Sequence, residues 1–338
     1  MRKLATIRKV DKITPIDGAD KIELAHVGGW KVVVQKGEYS ESDRAVYCEI
    51  DSWIPTEIAP FLSKGKEPSE YNGVKGERLR TIKLRGQISQ GLLLKTSIET
   101  DDCLALDLLD IGEDVTECLN IQKWEPEIPV QMQGKVKGSF PNYIPKTDQE
   151  RVQNLSDKDL QEITSVGFEV SEKLEGSSIT IFQPLDSDEL GVCSRNIWLD
   201  VSDTDNVFVK TAIAEGFERI DSRRYAFQGE LVGEGIQGNI YKLKGQRIYI
   251  YNVYDISTGE YLPPVLAKRY VEFLGFKYVP VKYYYQDQPI SLTIGDFLEE
   301  AEGISALAGV QQEGIVVKSL CGQKSFKAIN NKYLLGEK

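Results

Sequence analysis

The sequence predicts an α+β protein in two parts: a small closed β-barrel, then a larger region where strands and helices alternate. Three observations carry this. Residues 1–118 break into short β-like segments divided by turns. A stretch without any period follows, interrupted by Pro126, Pro129 and Pro141. After Pro145 helical patterns begin to alternate with strands. A chain of 338 residues is long enough for two cores. We therefore expect a barrel over 1–118, a linker or extended arm over 119–144 and a second domain over 145–338.

In the first part, "KIELAHV", "WKVVVQKG", "RAVYCEID", "RLRTIKLR" and "GLLLK" are the β-segments, and Gly28-Gly29 reads as a tight hairpin turn. Five short strands with little helix suit a small closed barrel. In the second part Ser156 caps a helix through "SDKDLQEI", with Asp159 in its first turn. "NVFVKTAIAEGFERI" and "PVLAKRYVEFLGF" read as further helices, and the β-branched and aromatic run "RIYIYNVYDI" as a central strand.

Composition narrows the chemistry. No run of 18 apolar residues occurs, so no membrane span is expected. The start "MRKLATIRKV" lacks the apolar core of a signal peptide, which leads us to expect an intracellular protein, cytoplasmic or nuclear. The cysteines at 48, 103, 118, 193 and 321 are odd in number and scattered, with no C-x-x-C. This argues against a disulfide framework or zinc site and fits a reducing compartment. His26 is the single histidine, which removes His-based zinc sites, Ser–His–Asp triads and His relays. Catalysis must then rest on Lys, Glu, Asp, Arg or a bound metal. A net charge of −11 argues against nonspecific coating of nucleic acid. It leaves room for a local basic track, and "KGERLRTIKLR" supplies one through Arg78, Arg80, Lys83 and Arg85. That run reads either as the solvated face of a strand or as a grip on a phosphate backbone.

Three stretches carry candidate chemistry. In "FEVSEKLEG" a strand period of two puts Lys173 and Glu175 on one face before Gly176. A lysine is a nucleophile only when neutral, and a nearby metal held by a carboxylate lowers its pKa. Alone the pattern is weak, since K-x-[DE]-G arises by chance in roughly one chain in five of this size. In "GELVGEGIQG" Gly233, Gly235 and Gly238 satisfy G-x-G-x-x-G, but the β-like sequence after them does not open a helix, so a dinucleotide fold is rejected. Glu230 in this run is an acidic group on a sheet. In "QEGIVVKS" Glu313 and Lys318 bracket an apolar strand an odd number of positions apart; only a twisted edge or strand mouth brings them to one site.

Taken in order, "EKLEGSS", "CSRN", "FQGELVGEGIQGN", "YNVYDI", "EGIVVK" and "SFKAIN" resemble the motifs of the covalent nucleotidyltransferases, the polynucleotide ligases and mRNA capping enzymes. "IPKTDQERVQNL" and "GEGIQGN" are specifically similar to ATP-dependent RNA ligases of the RNA ligase 2 type. "KITPIDGADKIELAHVGGWKVVV" and "IKLRGQISQGLLL" resemble the OB-fold of tRNA-binding domains. An OB-fold ahead of an RNA ligase domain resembles the nick-sealing ligases of the Deinococcus and Naegleria kind, and this likeness covers nearly the whole chain.

The resemblance implies an N-terminal OB-fold barrel and a nucleotidyltransferase domain of antiparallel sheets with flanking helices. It implies that Lys173 attacks the ATP α-phosphate, that AMP passes to an RNA 5′-phosphate, and that a 3′-OH then displaces AMP. It places Lys318 and Lys327 at the α-phosphate, Arg195 near the ribose or 5′-phosphate and Arg151 at the pyrophosphate. Glu175 and Glu313 would hold hydrated Mg²⁺ or Mn²⁺, Glu230 a ribose hydroxyl, Tyr254 the adenine face and Glu172 an adenine amine. The substrate implied is RNA with 3′-OH and 5′-phosphate ends, in a nicked duplex, and the protein is expected to be a monomer. One departure stands out: relatives often carry K-x-K where this chain has Ser325-Phe326-Lys327, with Lys324 a substitute for the missing lysine. The rivals are a capping-type guanylyltransferase and a non-catalytic RNA-binding protein. The former carries a C-terminal OB domain, which we do not expect because the chain stops shortly after Lys327; intact Lys173, Glu230, Glu313 and Lys327 oppose the latter.

Overall fold

The computed structural model describes residues 3–98, 105–125, 134–220, 223–286 and 291–337. The chain divides into two compact units, Met1–Glu127 and Ile128–Lys338.

The first unit is built almost entirely of short strands. A three-stranded antiparallel sheet joins Ala5–Lys9, Arg44–Cys48 and Leu92–Lys95. Its central strand is apolar on both faces. Val46 and Cys48 enter one core with Ile7, Ile54 and Leu94, while Ala45 and Tyr47 enter another with Trp30, Val32 and Leu93. The meander Lys12–Pro15, Ile22–Val27, Trp30–Gln35 turns at Gly28, whose positive φ of 56° suits the predicted hairpin. The basic run is not one strand. Val74–Arg78 ends at Arg78, and Ile82–Leu84 pairs with Gln87–Ser89 in a separate hairpin that turns at Arg85 and Gly86. His26 pairs with the Thr14 hydroxyl at 3.0 Å inside the meander, far from a catalytic role.

In the stretch 119–144, expected as a linker or extended arm, described residues near each end pair with strands. Leu119 and Ile121 are buried in the first unit's core, and Gln122–Lys123 pairs with Ser52–Pro55. Val136–Ser139 pairs with Ile197–Leu199 in the second unit. Pro126 and Pro129 lie outside the described residues, as does Cys103. Cys48, Cys193 and Cys321 are free, whereas Cys118 is disulfide-bonded, a bridge that the scattered spacing did not signal. Among the described residues no helix is long and apolar enough to cross a membrane.

The second unit sets two sheets together, which bears out the α+β reading. The five-stranded sheet runs Glu150–Arg151, Ser325–Ile329, Gly314–Ser319, Phe168–Lys173, Val281–Tyr285. One of its faces buries Phe168, Val170, Ile315, Val317, Phe326 and Ala328 against the helices Asp157–Thr164 and Ile294–Glu300. Ser156 and Asp159 form the predicted capping box of the first helix. The seven-stranded sheet has Ser177–Phe182, Tyr225–Gly233 and Gln246–Asp255 at its centre. It buries Ile179, Ile181, Phe227, Leu231 and Ile248 against the helices Val207–Ala214 and Pro264–Phe273. Alternation then leaves the opposite faces of both sheets to polar residues: Glu169, Ser171 and Lys173 on one, Ser178, Gln228 and Glu230 on the other.

These two polar faces are tied together by buried charge. Lys318 and Glu169 lie in register on neighbouring strands, are 4% and 0% exposed, and approach to 3.6 Å. The ammonium also donates to the Tyr251 carbonyl on the other sheet and to the Tyr278 hydroxyl. Tyr278 donates in turn to the same carbonyl at 3.0 Å and to Glu169 at 3.3 Å. Removing one partner of such a pair strands the other without solvent. Lys318→Ala is expected to cost about 3–5 kcal/mol of stability in urea unfolding, and adding Glu169→Gln to recover part of it. Equal midpoints for wild type and Lys318→Ala would show the pair to be inert.

Candidate active site

The nucleophile candidate sits where its strand runs out. Lys173 is the last residue of Phe168–Lys173 and is in register with Gly314, the first residue of the neighbouring strand. Glu313 therefore stands just outside that strand, at its mouth, free of the alternation rule that had set it on the wrong face. Its carboxylate accepts from Lys173 Nζ at 2.6 Å, with both side chains only partly exposed. Ser171, Val316, Lys327 and Arg151 form the next row along the same sheet. Two of the expected phosphate-binding cations, Lys327 and Arg151, are thus cross-strand neighbours one step from the lysine row. Glu169, Lys318 and Ser325 form the row beyond.

The turn after Lys173 brings the second sheet close. Gly176 is needed because a Cβ there would meet the Leu231 carbonyl at 2.4 Å and Glu230 Cγ at 2.7 Å. Its role is close approach, as well as the turn read from the sequence. Glu230, in register with Ser178, lies within electrostatic reach of Lys173. Burial pushes its pKa up to about 8, while the Lys173 charge pulls the other way, as does Arg195. Arg195 itself pairs with Asp148 at 2.6 Å on the turn after Gly191–Cys193.

Glu175 is gripped on several sides. Its Oε1 accepts from Gly238 N–H and its Oε2 from Ile240 N–H, each at 3.2 Å, and its own N–H donates to the Tyr241 hydroxyl at 2.6 Å. A Cβ on Gly238 would fall 2.8 Å from Oε1, so the "GEGIQGN" loop uses that glycine to bring an amide onto a carboxylate. Burial, with the charges of Glu313 and Glu175, pushes the phenol pKa of Tyr333, on the helix Asn331–Leu335, up. Sequence reasoning missed Tyr241, and no spacing signals its contact with Glu175.

Other expectations are revised. Lys318, implied at the α-phosphate, is buried and saturated by Glu169, Tyr278 and the Tyr251 carbonyl. Lys324 does not replace the missing lysine: it pairs with Glu162 on the helix side of the sheet. Tyr254 lies opposite Ala226, about 13 Å along the strand from Glu230, and packs edge-on to Tyr261. Tyr251, whose hydroxyl lies 3.4 Å from Ser178 Oγ, is the tyrosine whose phenol feels the Glu230 charge. Glu172 points away from Lys173; its Oε2 accepts from Ala306 N–H at 3.0 Å, while its buried Oε1 has no partner among the described residues. In the first unit Arg78 is held by Asp51 at 2.6 Å and lies 3.5 Å over the Trp124 ring, which withdraws it from the basic track. Arg80, Lys83 and Arg85 remain exposed.

Among the described residues no three acidic, cysteine or histidine side chains converge as direct metal ligands. Glu175, Glu230 and Glu313 nonetheless all act on Lys173 or on one another. An all-oxygen set at that remove fits a hard divalent cation that keeps its own waters.

Glu230 also makes a pH prediction. Its folded pKa of about 8 lies above the ordinary 4.5, so the folded state holds a proton that the unfolded chain releases in that window. Stability should therefore fall as pH rises from about 4.5 to 8. In ligand-free protein the melting temperature of Glu230→Gln should fall less steeply over that range than that of wild type; parallel curves would refute the shift.

Comparison with known proteins agrees with this geometry. The family model described as an OB-fold domain matches residues 4–96, and that described as RNA ligase matches residues 167–329. Among curated proteins none matches the chain. Among solved structures, the RNA ligase of Naegleria gruberi is similar throughout. A lysine-to-alanine mutant with ATP and Mn is 42% identical, with 98% of each chain covered and a TM-score of 0.88. A glutamate-to-alanine mutant with AMP and Mn is 43% identical, with 98% of each chain covered and a TM-score of 0.88. The same ligase with PPi is 43% identical over 99% of this chain and 98% of the other, with a TM-score of 0.88. An OB-fold domain followed by a domain with the lysine, carboxylates and cations of a nucleotidyltransferase places this chain in the RNA ligase family, to which it belongs.

Proposed function

We propose that this ATP-dependent RNA ligase seals nicks in duplex RNA through a lysyl-AMP formed on Lys173, with the N-terminal unit holding the duplex. The observation that carries the reading is the row structure of the five-stranded sheet, where Lys173 and Glu313 stand beside Lys327 and Arg151.

The ion pair with Glu313 holds the lysine in place, and attack requires the free amine. Attack forms a bond from Nζ to the α-phosphorus and breaks the bond to pyrophosphate. Negative charge gathers on the phosphate oxygens, where Arg151 and Lys327 supply fixed positive charge. The carboxylates of Glu175 and Glu313 suit hydrated Mg²⁺ or Mn²⁺, which when bound would supply further positive charge at the reacting phosphate. Glu230, largely protonated below about pH 8, can donate a hydrogen bond to a ribose hydroxyl. The Oε1 of Glu172 is an acceptor suited to an adenine amine. The AMP then moves to an RNA 5′-phosphate, and the 3′-OH displaces it.

The exposed hairpin bearing Lys83 and Arg85, with Arg80 before it, is the proposed duplex contact. Changing these three to glutamine in the full chain should leave lysyl-AMP formation intact and slow sealing of a nicked RNA duplex. The salt dependence of sealing should flatten by about one log–log unit for each phosphate no longer neutralised. Sealing on nicked duplex, single strands and splinted hybrids separates the substrates. Equal rates on single strands, or an unchanged salt slope, would count against the duplex reading.

A further inference from the structure

We propose that Asp148 is a positioning residue for Arg195, and that the extended segment 145–149 ties the turn bearing that arginine to both sheets of the site. The inference rests on the proposed place of Arg195 at the ribose or 5′-phosphate.

The segment has two edges, each with its own partners. Thr147 and Gln149 are half-buried while Lys146 and Asp148 are exposed, the alternation of extended backbone. The inner edge stitches the sheets. Thr147 Oγ1 lies 3.2 Å from Ser178 Oγ on the seven-stranded sheet, and Gln149 Nε2 donates to Ser325 Oγ on the five-stranded sheet at 3.2 Å. Before them the Pro145 carbonyl accepts from Gln228 Nε2 at 2.7 Å. After them Glu150–Arg151 joins the sheet beside Phe326 and Lys327. The outer edge clasps the turn between Gly191–Cys193 and Ile197–Leu199 at both of its exposed residues. Lys146 Nζ donates to Asn196 Oδ1 at 2.9 Å, and Asp148 Oδ1 accepts from Arg195 Nη2 at 2.6 Å.

Arg195 needs such a clasp. It stands on an exposed turn, and a long side chain there loses much rotamer freedom when it is fixed. Asp148 has a short side chain on backbone anchored at both neighbouring residues, so its carboxylate is a fixed point. The guanidinium that meets it is held within electrostatic reach of Glu230. Arg195 and Asp148 are 44% and 53% exposed, and an ion pair so open adds little to folding stability. What it supplies is direction. Loss of Asp148 should free the arginine and leave the domain as stable as before.

The test uses the full chain as Asp148→Ala, as Asp148→Asn, which keeps an acceptor oxygen, as Arg195→Ala and as the Asp148→Ala, Arg195→Ala double variant. The substrate is a nicked RNA duplex whose 5′-phosphate already carries AMP, sealed in a single turnover. Asp148→Ala should slow sealing on the order of tenfold. Asp148→Asn should recover part of the loss, and Asp148→Ala should cost nothing further once Arg195 is alanine. The urea midpoint should stay where it is. A wild-type rate in Asp148→Ala overturns the inference, as does the same loss repeated in the Arg195→Ala background. A lowered urea midpoint also overturns it, since that is the mark of a merely structural residue. Wild-type sealing by Arg195→Ala would sink the substrate role of Arg195 instead. Nitrogen relaxation at Arg195 Nε in nucleotide-free protein then tests the positioning by itself: faster motion in Asp148→Ala sustains it, and unchanged motion overturns it.

Discussion

The 2.6 Å ion pair between Lys173 and Glu313 is the contact around which the ligase domain is arranged. Each partner is at a strand terminus, where alternation no longer dictates direction and two side chains from neighbouring strands can meet head to head. The pair does two things with opposite effects on catalysis. It orients a long, flexible side chain, and it engages the amine with a carboxylate that it must leave in order to attack. The rest of the site can be understood as what is needed to relieve that second effect: cations one row along the sheet, and further carboxylates that invite a divalent ion.

That arrangement depends on the distance between two sheets. Bare polar faces would not stay at a fixed separation, and here two devices hold them. Deeper in the domain, Lys318, Glu169 and Tyr278 fasten one sheet to the Tyr251 carbonyl of the other. At the mouth, Gly176 and Gly238 remove side chains where backbone must touch backbone or carboxylate. A buried ion pair contributes little net stability against apolar packing; its value here is that it admits one geometry only.

How much of this was legible in the sequence follows from physical range. Barrel strands, the capping box at Ser156 and the hairpin at Gly28 are local, and local patterns predicted them. Lys173, Glu175, Glu230, Glu313 and Lys327 were read through ordered motifs, because each sits in a recognisable strand-end context. Where the geometry adds what the sequence did not show, a residue's partner lies far along the chain. Lys318 looked like a phosphate ligand, yet Glu169 and Tyr278 hold it; Arg78 looked like part of a basic track, yet Asp51 and Trp124 claim it. Tyr251 lies near Glu230, whereas Tyr254 lies farther along the strand, beyond the irregularity at Gln228/Gly229, a placement that periodicity does not encode.

The central claim is that the reactive amine is the one paired with Glu313. It is tested most directly by mapping the adduct. The protein is incubated with ATP and Mn²⁺, digested at a pH that preserves phosphoramidates, and its peptides are weighed. The account predicts one AMP, acid-labile, on the peptide containing Lys173 and attached at that residue. An AMP on any other residue, or none on a protein that still seals RNA, would contradict it.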